Sequence, residues 1–173
     1  NVYTSTWFLN SGHVQGRTAR SGHASLVPCQ LYRTKDGWIY IMCNKEKFWP
    51  ALCDAIGESA WATDERFKTF KERLANRELV QELLDERLSE RSTDDWLEAF
   101  SGVVPAAPVY DLAQALENPF VAEQNIVQSL ELEGHGQIRM VDTPVRSATP
   151  TPTKPVSALG EDTEKILSDL GYE

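Results

Sequence analysis

Leu26-Val27 and Leu31-Tyr32 form one strand-like run, and Trp38-Ile39-Tyr40-Ile41-Met42-Cys43 forms a second. Thr34-Lys35-Asp36-Gly37 separates them. Asp-Gly between two such runs is the strongest short-range hairpin signal, because glycine accepts the positive φ that the turn requires. Beyond the hairpin the apolar spacing lengthens from two residues to three and four. Phe48, Trp49, Leu52, Cys53 and Ile56 share one face of a predicted helix, and Gly57 supplies its stop. A longer helix follows from Arg77 to Arg91 with the stripe Leu79, Val80, Leu83, Leu84 and Leu88, and Asn76 as its N-cap. Between the two, Trp61 and Phe67 anchor short helical turns. Thr93-Asp94-Asp95 caps a third helix presenting Trp96, Leu97 and Phe100, its acids suiting the positive end of the helix dipole.

The flanks are less regular. Residues 1–10 read as the last turns of a helix that begins upstream. Ser11-Gly12-His13 through Ser21-Gly22-His23 reads as an irregular, glycine-punctuated linker lying on a surface or an interface. Val103 to Val109 contains two prolines, which remove backbone donors, so it is an extended crossing. Asp111 to Leu116 and Asn118 to Gln124 read as short helices. Ile126 to Leu132 and Gln137 to Val141 read as strands joined by Glu133-Gly134-His135-Gly136. Thr143 to Pro155 holds four prolines and is an extended tail. A final helix spans about Glu161 to Leu170 and ends at Gly171. The class is α+β, built on an antiparallel hairpin and several helices. No strand–helix–strand series is long enough for a doubly wound sheet.

Composition narrows the partners. With 41% hydrophobic and 25% charged residues the chain has a soluble domain's balance, and no apolar run approaches the ~20 residues that cross a bilayer. The N-terminus lacks the basic start and long apolar stretch of a secretory signal, which makes the cytoplasm the expected location. Starting at Asn1, the sequence reads as a processed or truncated product. The net charge of −9 is uneven: six Lys/Arg meet three acids in residues 1–57, whereas eleven meet twenty-three in residues 58–173. An acidic chain of this kind is a poor nucleic-acid ligand, since that affinity comes largely from phosphate neutralisation. Cys29, Cys43 and Cys53 are odd in number, widely spaced and without a neighbouring His, so they read as reduced buried thiols rather than disulfides or metal ligands.

The chain carries few motifs that signal chemistry. No Gly-x-Gly-x-x-Gly, Walker loop or Gly-x-Ser-x-Gly elbow is present. His13, His23 and His135 each sit beside glycine in a predicted loop and form no helical metal pair. His135 reads as a turn residue. His23 closes the linker just before the hairpin, but a histidine serves as a base only with a partner positioned in space. Asp85-Glu86 and Asp94-Asp95 read as solvated faces or caps. Glu46, the carboxylate near the hairpin's exit, reads as a surface residue between Lys45 and Lys47.

The order of segments resembles the family III CoA-transferases, also called the CaiB/BaiF family. Pro28-Cys29-Gln30-Leu31-Tyr32 through Asp36-Gly37-Trp38 is similar to that family's Pro-Tyr-x-x-Tyr-x-x-x-Asp-Gly hairpin, with Cys29 where Tyr is common. Phe48-Trp49 with Leu52-Cys53 and Ile56-Gly57 resembles the helix that follows it. Phe67-Lys68-Thr69 to Asn76-Arg77 resembles its Arg-Phe…Asn-Arg link, and Val103 to Val109, Ala113 to Pro119 and Asp142 to Arg146 its later segments. Leu159-Gly160-Glu161-Asp162-Thr163 resembles its closing Leu-Gly-Glu-His-Thr.

The resemblance implies an enzyme that moves CoA between carboxylic acids, with a CoA thioester as substrate and no tightly bound cofactor or metal. It implies acyl-enzyme intermediates on an aspartate of a large N-terminal domain, so no aspartate of this chain takes the nucleophile's role. It also implies an interlocked homodimer. On this reading residues 1–24 are the end of a large-domain helix and a linker, 25–110 the small-domain core, 111–142 its continuation, and 143–173 a Pro-rich tail and helix returning to the large domain. By itself such a part is expected to be inactive. Ser21-Gly22-His23 matches the loop that covers the active site in the formyl-CoA branch, though with a single glycine. Glu46 lies near a glutamate used by the 2-methylacyl-CoA racemase branch, so a racemase fragment is the alternative. A non-catalytic interaction module using exposed Trp and Phe is the alternative from another class.

Overall fold

The computed structural model describes residues 2–132, 136–143 and 157–172. Its contacts divide the chain between Val109 and Tyr110 into two units.

The first unit opens with α1 (Val2–Ser11), which buries none of its residues and leaves Val2, Tyr3, Phe8 and Leu9 exposed. The linker follows and then the hairpin, β1 (Cys29–Arg33) and β2 (Trp38–Met42), entered through a cis Val27–Pro28 bond. The register sets Tyr32 opposite Ile39 and Gln30 opposite Ile41, and all four are buried on one face. Strand alternation then leaves Leu31, Trp38 and Tyr40 half-buried on the other. Val103 to Val109 supplies β3 (Ala106–Pro108), which pairs antiparallel with β2 to give the order β1-β2-β3.

The turn differs from its sequence-based reading. The strands are joined by four residues, closed by the Thr34 N–H donating to the Gly37 carbonyl at 3.0 Å. Gly37 does not adopt a positive φ. A Cβ there would lie 3.2 Å from Thr93 Oγ1, so a side chain would press on that hydroxyl. Asp36 does the tethering: its Oδ1 accepts from the Thr93 N–H at 2.8 Å and from the Thr93 hydroxyl at 3.0 Å. The hairpin tip is thereby tied to the start of a helix 57 residues later.

Four helices cover the inner face. α2 (Phe48–Ala55) buries Trp49, Leu52 and Cys53, and Gly57 ends the segment at φ +80. α3 (Phe70–Ala75), which periodicity missed because it is short, is capped by Thr69. α4 (Arg77–Leu88) buries Val80, Leu84 and Leu88. Asn76 does not cap α4 with its side chain; its Nδ2 donates to the carbonyls of Arg66 and Glu72 instead. α5 (Thr93–Phe100) is capped by Ser92 in a capping box with Asp95, one residue earlier than the sequence suggested. Trp96 and Phe100 stack at 5.5 Å, and Trp49 meets Phe67 edge-on at 6.0 Å. Sixteen buried residues form one cluster in this unit, eight of them Leu, Ile or Phe, each of which contributes about 1.5–3 kcal/mol when fully buried. Cys29, Cys43 and Cys53 are free and buried, as the sequence suggested, and burial pushes the thiols of Cys43 and Cys53 up to about 12.

The second unit has its own hairpin, β4 (Val127–Leu132) with β5 (Gly136–Val141). Two short helices precede it, α6 (Leu112–Glu117) capped by Asp111 and α7 (Pro119–Glu123) capped by Asn118. The terminal helix α8 (Thr163–Asp169) buries none of its residues. The turn centred on Gly134-His135 and the tail from Pro144 to Val156 lie outside the described residues. Among the described residues, eight α-helices with two small antiparallel sheets make an α+β architecture.

Candidate functional site

The linker that carries Ser21, Gly22 and His23 runs along the edge of β1 and is tied there by polar contacts. The His23 N–H donates to the Cys29 carbonyl at 2.9 Å, which satisfies part of the exposed strand edge. Arg77, at the start of α4, donates to the carbonyls of His23 at 2.7 Å and Ala24 at 3.3 Å. One turn pair further along, Asp85 takes the Arg20 guanidinium at 2.6 Å in a part-buried ion pair, and the same guanidinium stands 5.7 Å from the Trp38 ring. Asp85, read from sequence as a solvated acid, is therefore the anchor of the linker.

The backbone between those ties is held away from its preferred shapes. Arg20 (φ 55) and Ser21 (φ 53) are consecutive left-handed residues, each costing about 1–2 kcal/mol for a side chain other than glycine. Gly22 follows where a Cβ would lie 3.1 Å from the Ala19 carbonyl and 3.3 Å from Arg77 Nη1. The strain persists because Arg20, Arg77 and the β1 edge over-determine the loop. Beneath it, Gln30 donates to Gln81 at 3.0 Å, while the buried Tyr32 hydroxyl finds no partner among the described residues. Burial, with Cys43 and Asp85 close by, raises the Tyr32 hydroxyl well above its usual range, so it stays protonated.

His23 itself is exposed, and its ring folds back over the chain that follows. Nδ1 accepts from the N–H groups of Ser25 and Leu26 at 3.2 Å each. No carboxylate contacts the ring among the described residues, so the base-and-orienter pair that acid–base catalysis needs is not assembled around it.

Glu46 lies elsewhere. Its Oε2 accepts from Arg73 Nη2 at 2.6 Å and its Oε1 from the Phe70 N–H at 2.8 Å. Both oxygens of the racemase-branch candidate are thus engaged in holding α3. Sequence reasoning passed over Arg73 altogether. It is fully buried, donates to the carbonyls of Val27 and Phe67 at 2.7 Å each, and lies over the rings of Trp49 and Phe70. The signal that would have found it is weak: one arginine between Phe70 and Leu74, in a helix too short to show a period.

Two clefts open on α4 and α5. One of about 540 Å3 is lined by Arg91, Asp95, Glu98 and Ala99, and one of about 140 Å3 by Glu58, Trp61, Leu83, Glu86, Arg87 and Glu90. In the first, Asp95 is engaged in the capping box of α5, its Oδ2 accepting from the Ser92 N–H at 3.3 Å. Among the described residues no group of three or more His, Cys, Asp or Glu is placed to hold a metal, and no helix is long and apolar enough to cross a membrane.

The family is decided by a sequence model of CoA-transferase family III, which matches residues 2–163. The chain belongs to CoA-transferase family III. Among relatives, succinyl-CoA:glutarate CoA-transferase of Homo sapiens is 26% identical over 162 residues, spanning 92% of this chain and 37% of that protein. Acetyl-CoA:oxalate CoA-transferase of Acetobacter aceti is 30% identical over 125 residues, spanning 72% of this chain and 31% of that one. The crystal structure of a CaiB/BaiF family protein from Brucella suis superposes with a TM-score of 0.76 at 26% identity, covering 97% of this chain and 44% of that one. The chain therefore spans less than half the length of each of these three proteins, and its α+β fold is that of the Brucella suis protein over the part matched.

Proposed function

We propose that this chain is the small domain and C-terminal tail of a family III CoA-transferase, which moves CoA from an acyl-CoA thioester to a carboxylic acid. Membership of the family over residues 2–163 is the observation that carries this reading. The reacting aspartate is expected in a large N-terminal domain that corresponds to the rest of the relatives' length. Consistent with that, neither α1 nor α8 buries a residue, although α1 carries Val2, Tyr3, Phe8 and Leu9 and α8 carries Ile166 and Leu167. A self-contained interaction module would bury such terminal helices against its own core. The loop of Ser21, Gly22 and His23 is the part of this chain assigned to the active site. The cytoplasm is the proposed location and an interlocked homodimer the proposed assembly.

The test compares two polypeptides: the 173 residues alone and the protein with its large domain. Each is given succinyl-CoA or acetyl-CoA with glutarate or oxalate, the pairs named by the relatives, and CoA exchange is followed chromatographically. The larger protein is expected to exchange CoA and to form a hydroxylamine-sensitive acyl-enzyme. The 173 residues alone are expected to do neither. Exchange by the short chain would place the nucleophile within it and overturn the proposal.

A further inference from the structure

The geometry of His23 assigns it a narrower part than loop membership does. An imidazole nitrogen that accepts two backbone N–H groups carries no proton, so the neutral ring holds its single proton on Nε2. Ser25 and Leu26 supply those two donors, and the Ser25 hydroxyl lies a further 3.5 Å from the same nitrogen. The tautomer is imposed by the main chain, within three residues of the ring. Nε2–H has no partner among the described residues, and His23 is exposed.

We infer that His23 is a preset hydrogen-bond donor, through Nε2–H, for a carbonyl or carboxylate oxygen of the ligand, and not a general base. On the CoA-transfer reading, on which this inference rests, that oxygen belongs to the thioester or to the acid. Negative charge grows on a thioester oxygen as an acyl group is transferred, and a donor fixed beforehand stabilises it without reorganising. A base would need a free lone pair facing the ligand. On this ring one nitrogen's pair is spent on Ser25 and Leu26, and the other nitrogen bears the proton.

Arg77 and Asp85 are positioning residues for this donor. The His23 carbonyl is held by Arg77 and the His23 N–H by Cys29, which fixes the residue's backbone from both sides. Asp85 holds Arg20 at the point where the chain turns left-handed into Ser21 and Gly22.

Two experiments separate the donor from its ligand. The first is a side-chain nitrogen–proton NMR correlation on the 173-residue chain, well above neutral pH. His23 is expected wholly in the Nε2–H form, and Arg77→Met is expected to return it toward the mixture found in free peptides. A protonated Nδ1 in the unsubstituted chain would overturn the inference.

The second uses the protein with its large domain. Glutamine places an N–H close to where Nε2 stands, whereas asparagine reaches only as far as Nδ1. His23→Gln is expected to keep kcat within about threefold, and His23→Asn and His23→Ala to lower it by about 10- to 100-fold with KM little changed. Equal loss in all three variants would show that the ring itself is needed, and equal retention that the ligand does not touch it; either refutes the donor role. If the unsubstituted protein exchanges no CoA while the Nε2–H form is found, the CoA-transfer reading falls and its ligand with it, and the locked donor stands.

Discussion

Replacing Arg73 by methionine tests whether one buried cation organises the first unit. Methionine keeps most of the stem's packing and removes the guanidinium, which donates to Val27 O and Phe67 O at 2.7 Å and to Glu46 Oε2 at 2.6 Å. The two carbonyls lose a charged donor in a place from which water is excluded, each at about 1–3 kcal/mol. Glu46 is half exposed and rehydrates, so its side of the ion pair adds little. Two orphaned carbonyls therefore set an expected loss of about 2–6 kcal/mol, and about 3 kcal/mol after partial relaxation. For a unit of this size that loss lowers Tm by roughly 12–24 °C. The assay is urea unfolding followed by tryptophan fluorescence, since Trp49 lies 5.3 Å from the guanidinium. Glu46→Gln is the control and is expected to cost no more than about 1 kcal/mol, because the amide oxygen still accepts from Arg73 and the Phe70 N–H, which loses its acceptor, is open to water. A loss below about 1 kcal/mol for Arg73→Met would refute the claim that those carbonyls depend on it.

Acid sensitivity gives a second test. The Thr93 N–H holds the Asp36 carboxyl below the usual carboxylate range. A depressed folded-state value means that the contribution is complete above the unfolded value of about 3.9 and is lost as pH falls through and below it. The urea midpoint of Asp36→Asn is thus expected to fall less steeply than the parent's between about pH 5 and 3, and an unchanged slope would contradict the Asp36–Thr93 tie. Asp64, which its side-chain bonds with Arg66 bring down to about 2, keeps part of that slope in the variant. Thiol chemistry gives a third. Burial raises Cys43 and Cys53 to about 12 and leaves Cys29 2% exposed, so Ellman's reagent is expected to label the native chain slowly and all three cysteines in denaturant. Fast stoichiometric labelling of the native chain would refute their burial.

Much of the fold was legible because it rests on short-range rules. The hairpin around Asp36-Gly37, the stripe from Trp49 to Ile56 and the face of Val80, Leu84 and Leu88 follow from period, turn residues and caps, whose causes lie within a few positions of the effect, whereas the order of segments is legible only through the family resemblance. Boundaries slipped where a neighbour one residue away competed, as Ser92 did with Thr93 for the cap of α5. The candidate site was legible only as a stretch of letters: Ser21, Gly22 and His23 were marked, without the two left-handed residues or the ring's tautomer.

What the sequence alone determined was the α+β class, the hairpin, the main helices and the family resemblance. What only the tertiary structure decided was which charges are structural. Arg73 reaches a carbonyl 46 positions away, Arg20 a carboxylate 65 away, Arg77 a carbonyl 54 away and Asp36 a backbone N–H 57 away. A charged residue reads as solvated in any local pattern, because its partner stands beside it only once the chain has folded. For the fully buried Arg73 the cost of being left unpaired in a site without water makes those partners obligatory.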